Sequence, residues 1–234
     1  MDALDRLRDA PARAAVLLDV DGTLAPIVER PEDAAVPEET RAVLRDLVAR
    51  YALVAAVTGR PGALGRDLVG VDGMEVVGSH GLELDPDADV WRARLQDFGR
   101  TVDWPVEDKG LGLSYHYRTH EDPDRARAEL ELLAEQARSA GLRARFGRMV
   151  LEVLPPLDAD KGTAVRALLQ GAGLTRALFA GDDTTDLDAF GALEELEVGV
   201  KVAVASDEAP PELIARADLI VDDPAALVDL LRTL

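Results

Sequence analysis

Hydrophobic and polar positions alternate in two different ways along this chain. Ala14-Ala15-Val16-Leu17-Leu18 is apolar without interruption, as a strand covered on both faces of a parallel sheet must be, and it stops abruptly at Asp19-Val20-Asp21-Gly22-Thr23. A helix is predicted to open at Val36-Pro37-Glu38-Glu39, with proline near the first turn and acids at the positive end of the dipole. Val43, Leu44, Leu47, Val48 and Tyr51 then fall at helical spacing. A second buried strand, Ala52 to Val57, ends at Thr58-Gly59-Arg60. The same signature returns at Met74 to Val77, Ala177 to Ala180, Val200 to Ala205 and Asp218 to Val221, separated by helical stretches. Strands alternating with helices predict an α/β fold with a parallel sheet flanked by helices.

The middle of the chain follows the second pattern. Leu111, Leu113, Tyr115 and Tyr117 alternate with Gly112, Ser114, His116 and Arg118, which predicts a sheet with one covered face and one open face. Asp122-Pro123 starts a helix carrying Leu130, Leu133, Ala134 and Ala137 and closed by Gly141, and Arg148 to Leu154 reads as another half-buried strand. Asp85-Pro86-Asp87-Ala88-Asp89 and Pro155-Pro156-Leu157-Asp158 bound this segment as hinges. The expected organisation is a core of residues 1–83 and 157–234 with an α+β module, 84–156, inserted over one mouth of its sheet. Trp91 and Trp104 are expected to pack the module.

Composition narrows the partners. The 234 residues carry a formal charge of −19, which opposes nucleic acid and anionic membrane surfaces, and 47% apolar content suffices for a buried core. Cysteine is absent, which removes disulfides, thiol catalysis and thiolate metal sites. No apolar run approaches a membrane span, and Met1 to Ala12 mixes charges with small residues rather than forming a signal-peptide core. A soluble, cytoplasmic monomer acting on a small molecule is expected.

In open parallel sheets ligands bind beyond the carboxyl ends of the strands, and three polar clusters stand there. Asp19 and Asp21 lie two apart with Gly22 allowing a tight turn; carboxylates so close repel and call for a cation. Thr58-Gly59-Arg60 supplies a hydroxyl, and Gly181-Asp182-Asp183-Thr184-Thr185-Asp186 adds three acids, the material of an oxygen-rich Mg2+ site. Each cluster alone also reads as a turn or a helix cap, and Lys161 alone as a surface lysine. Their common position after apolar strands, in one order, favours a shared site.

With these motifs the chain resembles the haloacid dehalogenase superfamily, with Asp19-x-Asp21-Gly-Thr-Leu, Thr58, Lys161 and Gly181-Asp182-Asp183 as its four motifs. Within it the chain resembles the trehalose-6-phosphate phosphatases. That likeness rests on Asp19 to Ile27, Gly78-Ser-His-Gly81, Lys109 with Ser114 to Arg118, Gly147 to Pro155, Lys161-Gly162 and Gly181 to Phe190. Leu187, Arg148 and Leu154 depart from it, standing where Glu, Lys and a basic residue are usual. The resemblance implies a Rossmann-like core with an α+β cap and a Mg2+-dependent sugar-phosphate hydrolase. It implies Asp19 as nucleophile, Asp21 as general acid and base, and Thr58 and Lys161 on the phosphoryl group and its charge. Asp19, the Asp21 carbonyl and Asp182 would hold Mg2+, supported by Asp183 and Asp186. Gly59, His80, Lys109, Ser114, His116, Arg118, Arg148 and Glu152 would meet the substrate. From spacing alone, the module residues read equally well as a solvated strand face, and Glu152, an acid among apolar neighbours, requires a ligand or a basic partner. Arg60 and His120 receive no role. Hydrolysis of another sugar phosphate, a phosphomutase, a receiver that accepts phosphate on an aspartate, and a non-catalytic sugar-phosphate sensor are the competing readings.

Overall fold

Strand residues that point alternately to two helical layers explain why the apolar runs are unbroken. The computed structural model describes residues 2–234 except Glu29, Thr119, Arg148, Asp207 and Glu208. From the amino terminus come α1 (Ala3–Arg8), β1 (Ala15–Leu18), α2 (Glu38–Arg50), β2 (Leu53–Val57), α3 (Gly62–Val69) and β3 (Glu75–Val77). An inserted stretch then holds α4 (Ala88–Arg100), β4 (Glu107–Asp108), β5 (Leu113–His116), α5 (Pro123–Ser139), β6 (Arg143–Gly147) and β7 (Val150–Leu154). The chain finishes with α6 (Lys161–Ala172), β8 (Arg176–Gly181), α7 (Asp186–Leu193), β9 (Val198–Val204), α8 (Pro211–Arg216), β10 (Leu219–Val221) and α9 (Pro224–Arg232). Two compact units result: Met1–Gly81 with Ala159–Leu234, and Leu82–Asp158.

In the larger unit the strands run parallel in the order β10-β9-β8-β1-β2-β3. Val16, Leu18, Val54, Ala56, Leu178 and Ala180 enter the core that also takes Leu44 and Leu47 of α2 and Leu227 and Leu231 of α9. Leu17, Ala55, Val57 and Phe179 enter the opposite core with Val165 and Leu169 of α6 and Phe190 of α7. Because β1 lies between β2 and β8, the chain reverses its direction of winding there, and the carboxyl ends of three central strands open at one crevice.

The smaller unit is an antiparallel sheet, β4-β5-β7-β6, covered on one face by helices. Leu113 and Tyr115, with Leu151 and Val153, pack on Leu130, Leu133, Ala134 and Ala137 of α5 and Leu95 of α4, and Trp91 and Trp104 join that core. Two elements differ from expectation. Part of the hinge expected at Asp85 to Asp89 is already helix: α4 starts at Ala88, with Trp91, Leu95 and Phe98 on one face. Gly112 and Ser114, expected on the open face, are buried. Ser114 is flanked in register by the longer side chains of Glu107 on β4 and Glu152 on β7. Among the described residues no helix is long and apolar enough to cross a membrane.

Candidate active site

The turn after β1 carries the first two acids. Asp19 donates its backbone N–H to the Ala180 carbonyl of β8 at 2.9 Å, so its side chain is fixed between two central strands and only 4% exposed. Gly22 follows at φ +82°, and a Cβ there would lie 2.1 Å from Asp182 Oδ2. Only glycine lets this loop pass so close to the opposite acid. Thr23, fully buried, donates its hydroxyl to Asp182 Oδ1 at 2.9 Å and ties the two loops together.

Lys161 is the centre of the charge arrangement. The capping box of Asp160 and Thr163 starts α6 so that Lys161 falls on its first turn, facing inward. Its ammonium, 3% exposed, donates to Asp19 Oδ1 and Asp186 Oδ1, both at 2.7 Å. Asp186 Oδ2 accepts the backbone N–H groups of Asp182 and Asp183, each at 2.9 Å, so this acid shapes the loop that presents Asp182.

Oxygens of Asp19, Asp182 and Asp186 lie within 4.8 Å of one another. Three carboxylates against one ammonium leave two negative charges unbalanced in a buried volume. Burial pushes the Asp19 carboxyl well above the usual range; Lys161 pulls it down, and Asp186 and Asp182 push it back up. Burial and the charge of Asp186 raise Asp182 from 3.8 to about 6, despite hydrogen bonds with Thr23 and Asp19 and the nearby Lys161. Burial alone would discharge Lys161, but Asp19 and Asp186 hold its ammonium above the ordinary lysine range. An all-oxygen donor set with two surplus negative charges fits one hard divalent cation.

The folded protein without metal binds a proton at Asp182 that the unfolded chain has released between pH 3.8 and about 6, so that proton's stabilising contribution is present below this window and disappears as pH rises through it. In EDTA, the melting temperature of the parent relative to Asp182→Asn should fall as pH rises from about 4 to about 6. A difference independent of pH would refute the assignment.

A cavity of about 370 Å3 opens onto these groups, lined by Asp19, Asp21, Gly59, His80, Lys161, Asp182 and Asp183. Ile27, Thr185 and Ser206 complete the lining, three residues without an expected role. The first two lie inside the motifs that follow β1 and β8, whereas Ser206 follows β9 without any local signal. His80 adopts φ +54° and donates its backbone N–H to the Thr58 carbonyl at 2.9 Å. Its ring covers Gly59, where a Cβ would meet Nε2 at 2.6 Å. Thr58 itself is fully buried behind Gly59, and its hydroxyl accepts the Arg60 N–H at 3.2 Å.

The open face of the smaller unit gathers the remaining candidates. Glu107, Ser114, Glu152 and Arg145 stand in one row across four strands. Arg145 Nε donates to Glu152 Oε2 at 2.7 Å, which is the basic partner that Glu152 required. His116 Nε2 lies 2.8 Å from Glu107 Oε2, and Lys109 Nζ lies 3.6 Å from the same oxygen. Burial pushes the Glu107 carboxyl up, but the His116 hydrogen bond and the Lys109 charge outweigh it, and its pKa falls below the usual value. Glu107 and Arg145 carry no sequence signal, because β4 is two residues long and β6 alternates arginines with only two apolar residues. Arg118 is exposed just beyond β5, and Arg148 lies outside the described residues.

Known proteins resemble this chain in sequence and in fold. The family model described as trehalose-phosphatase matches residues 17–104 and 92–218. An uncharacterized glycosyl hydrolase of Mycobacterium tuberculosis is 36% identical over 81% of this chain, which spans only 16% of that relative's length. A probable trehalose-phosphate phosphatase of Arabidopsis thaliana is 30% identical over 95% of this chain and 68% of its own. The crystal structure of a trehalose-6-phosphate phosphatase related protein superposes with a TM-score of 0.72 at 25% identity, covering 94% of this chain and 96% of that one. A haloacid dehalogenase-like hydrolase from Bacteroides thetaiotaomicron shares the fold, with a TM-score of 0.64 at 15% identity over 94% of this chain and 98% of its own. The chain therefore belongs to the trehalose-phosphatase family, a family of phosphatases built on the haloacid dehalogenase fold.

Proposed function

We propose that the chain hydrolyses trehalose 6-phosphate to trehalose and inorganic phosphate, the last step of trehalose biosynthesis, with Mg2+ as cofactor. The observation that carries this reading is the placement of Asp19 at the carboxyl end of β1, on the cavity wall, with its Oδ1 held by the buried Lys161. A carboxylate so oriented suits attack on phosphorus. The Asp19 oxygen to phosphorus bond forms as the phosphorus to sugar oxygen bond breaks, and Asp21 gives its proton to the departing sugar oxygen, which leaves as a hydroxyl. Water then attacks the phosphorylated Asp19, its proton passes to Asp21, and the carboxylate leaves as phosphate is released. Lys161 balances charge beside the nucleophile, and Thr58, with the Gly59 backbone beside the cavity, supports the phosphoryl oxygens. Asp19, the Asp21 carbonyl and Asp182 would hold Mg2+, with Asp183 and Asp186 behind them; the cation would supply positive charge toward the phosphoryl group. His80 in the larger unit and Lys109, Ser114, His116, Arg118 and Glu152 in the smaller one would contact the sugar, as would Arg148, which lies outside the described residues.

The test is phosphate release from a panel of trehalose 6-phosphate, sucrose 6-phosphate, glucosyl-3-phosphoglycerate and glucose 6-phosphate, with and without Mg2+. We expect trehalose 6-phosphate to lead the panel and EDTA to stop its turnover. Efficient cleavage of another member with trehalose 6-phosphate untouched would reassign the substrate, and turnover indifferent to EDTA would remove the metal.

A further inference from the structure

Arg60 grips the residue that the mechanism needs for proton transfer. Its Nε donates to Asp21 Oδ2 and its Nη2 to Asp21 Oδ1, both at 2.7 Å. This is a two-pronged guanidinium to carboxylate fork, the geometry that fixes both partners most strongly. The backbone of Arg60 is itself anchored: its N–H donates to the Thr58 hydroxyl, and its carbonyl accepts from Ser79 at 2.8 Å. Gly78 packs so closely against that carbonyl that a Cβ would approach it to 2.7 Å. The fork therefore joins a rigid turn at the end of β2 to the loop after β1. The Asp21 side chain is 43% exposed, and without the fork it would sample several rotamers.

Both Asp21 oxygens accept from one guanidinium, so the carboxylate faces the cavity in one orientation. Taking the proton of the water that attacks phosphorylated Asp19 depends on that orientation, whereas a leaving group that departs without a proton does not need it. We propose that Arg60 is a positioning residue that sets Asp21 for the second half of the reaction, hydrolysis of the phosphoenzyme. This rests on the functional reading above, with Asp19 as nucleophile and Asp21 as acid and base.

The test uses p-nitrophenyl phosphate, whose leaving group departs without a proton donor, so the first half-reaction is spared and the second is isolated. In Arg60→Ala with Mg2+ we expect a burst of about one p-nitrophenol per active site, followed by a steady state slower by roughly 10²-fold. Acid quenching should trap enzyme heavier by one phosphoryl group, and added methylguanidinium should speed the steady state. Arg60→Lys, a charge without the fork, should show the same burst. An unchanged steady state, or a slow one without burst and without trapped phosphoenzyme, overturns the proposal. If Arg60→Ala melts at the assay temperature, Arg60→Gln carries the same measurement. The functional reading fails separately: if Asp19→Asn still turns over, that reading is wrong whatever Arg60 does.

Discussion

Asp19→Asn should abolish phosphate release while leaving the protein folded and able to bind substrate. Asparagine keeps the size and one oxygen of the side chain but cannot serve as the attacking anion. Removal of a nucleophile that acts as one unit with its partners costs about 10⁵ to 10⁶ in kcat, and an effect of that size is expected here. Stability should move the other way or not at all. Burial and two acidic neighbours already push the Asp19 carboxyl well above the usual range, so its charged form is held at a cost to the fold. Lys161 retains Asp186 as partner in the variant. The expected result is an equal or higher melting temperature, with trehalose 6-phosphate still detectable by calorimetry. Turnover within tenfold of the parent would mean that phosphorus is attacked by some other group. Loss of both activity and fold would assign Asp19 to structure.

How much of this was legible in the sequence depends on how local each signal is. β1, β2 and β8 announced themselves because strands covered on both faces must be uniformly apolar, and each is followed at once by the polar residue it delivers: Asp19, Thr58 and Asp182. The alternation along β5 and β7 marked the inserted sheet for the same reason. α4 was hidden because its apolar positions are sparse among charges, and β6 because arginines occupy its open face. Pairings distant in the chain were beyond local pattern. Asp21 and Arg60 stand 39 residues apart, and only the adjacency of β1 and β2 brings them into one fork. Asp186 stands with Asp19 and Asp182 in the acid cluster and also organises the loop through its Oδ2, because α7 starts where that carboxylate faces two backbone N–H groups; this second task has no local signal. A lone lysine reads as solvated surface, and nothing near Lys161 in sequence says that two acids enclose it.

Lys161→Met carries the largest expected effect on stability. Methionine fills similar space but leaves Asp19 and Asp186, which are 4% and 0% exposed, facing each other without a cation. Breaking a buried pair by removing one partner costs about 3–5 kcal/mol, chiefly through the uncompensated charge that remains. The sign of the pH dependence is fixed by which groups titrate. Lys161 itself has its pKa raised by Asp19 and Asp186, so its contribution is complete below 10.5 and does not change across the working range. The acids do change: without the ammonium, Asp19 rises further, and the folded variant takes up protons that the unfolded chain has already released. Its stability therefore falls as pH rises, and the gap between parent and variant widens. In EDTA, urea unfolding should show the larger difference near pH 7.5 and a smaller one near pH 5, together with loss of phosphate release even when Mg2+ is restored. A gap of the same size at both pH values would show that methionine fails by packing rather than by charge. A gap below about 1 kcal/mol would show that the two acids are solvated in the free protein, as exposed ion pairs are.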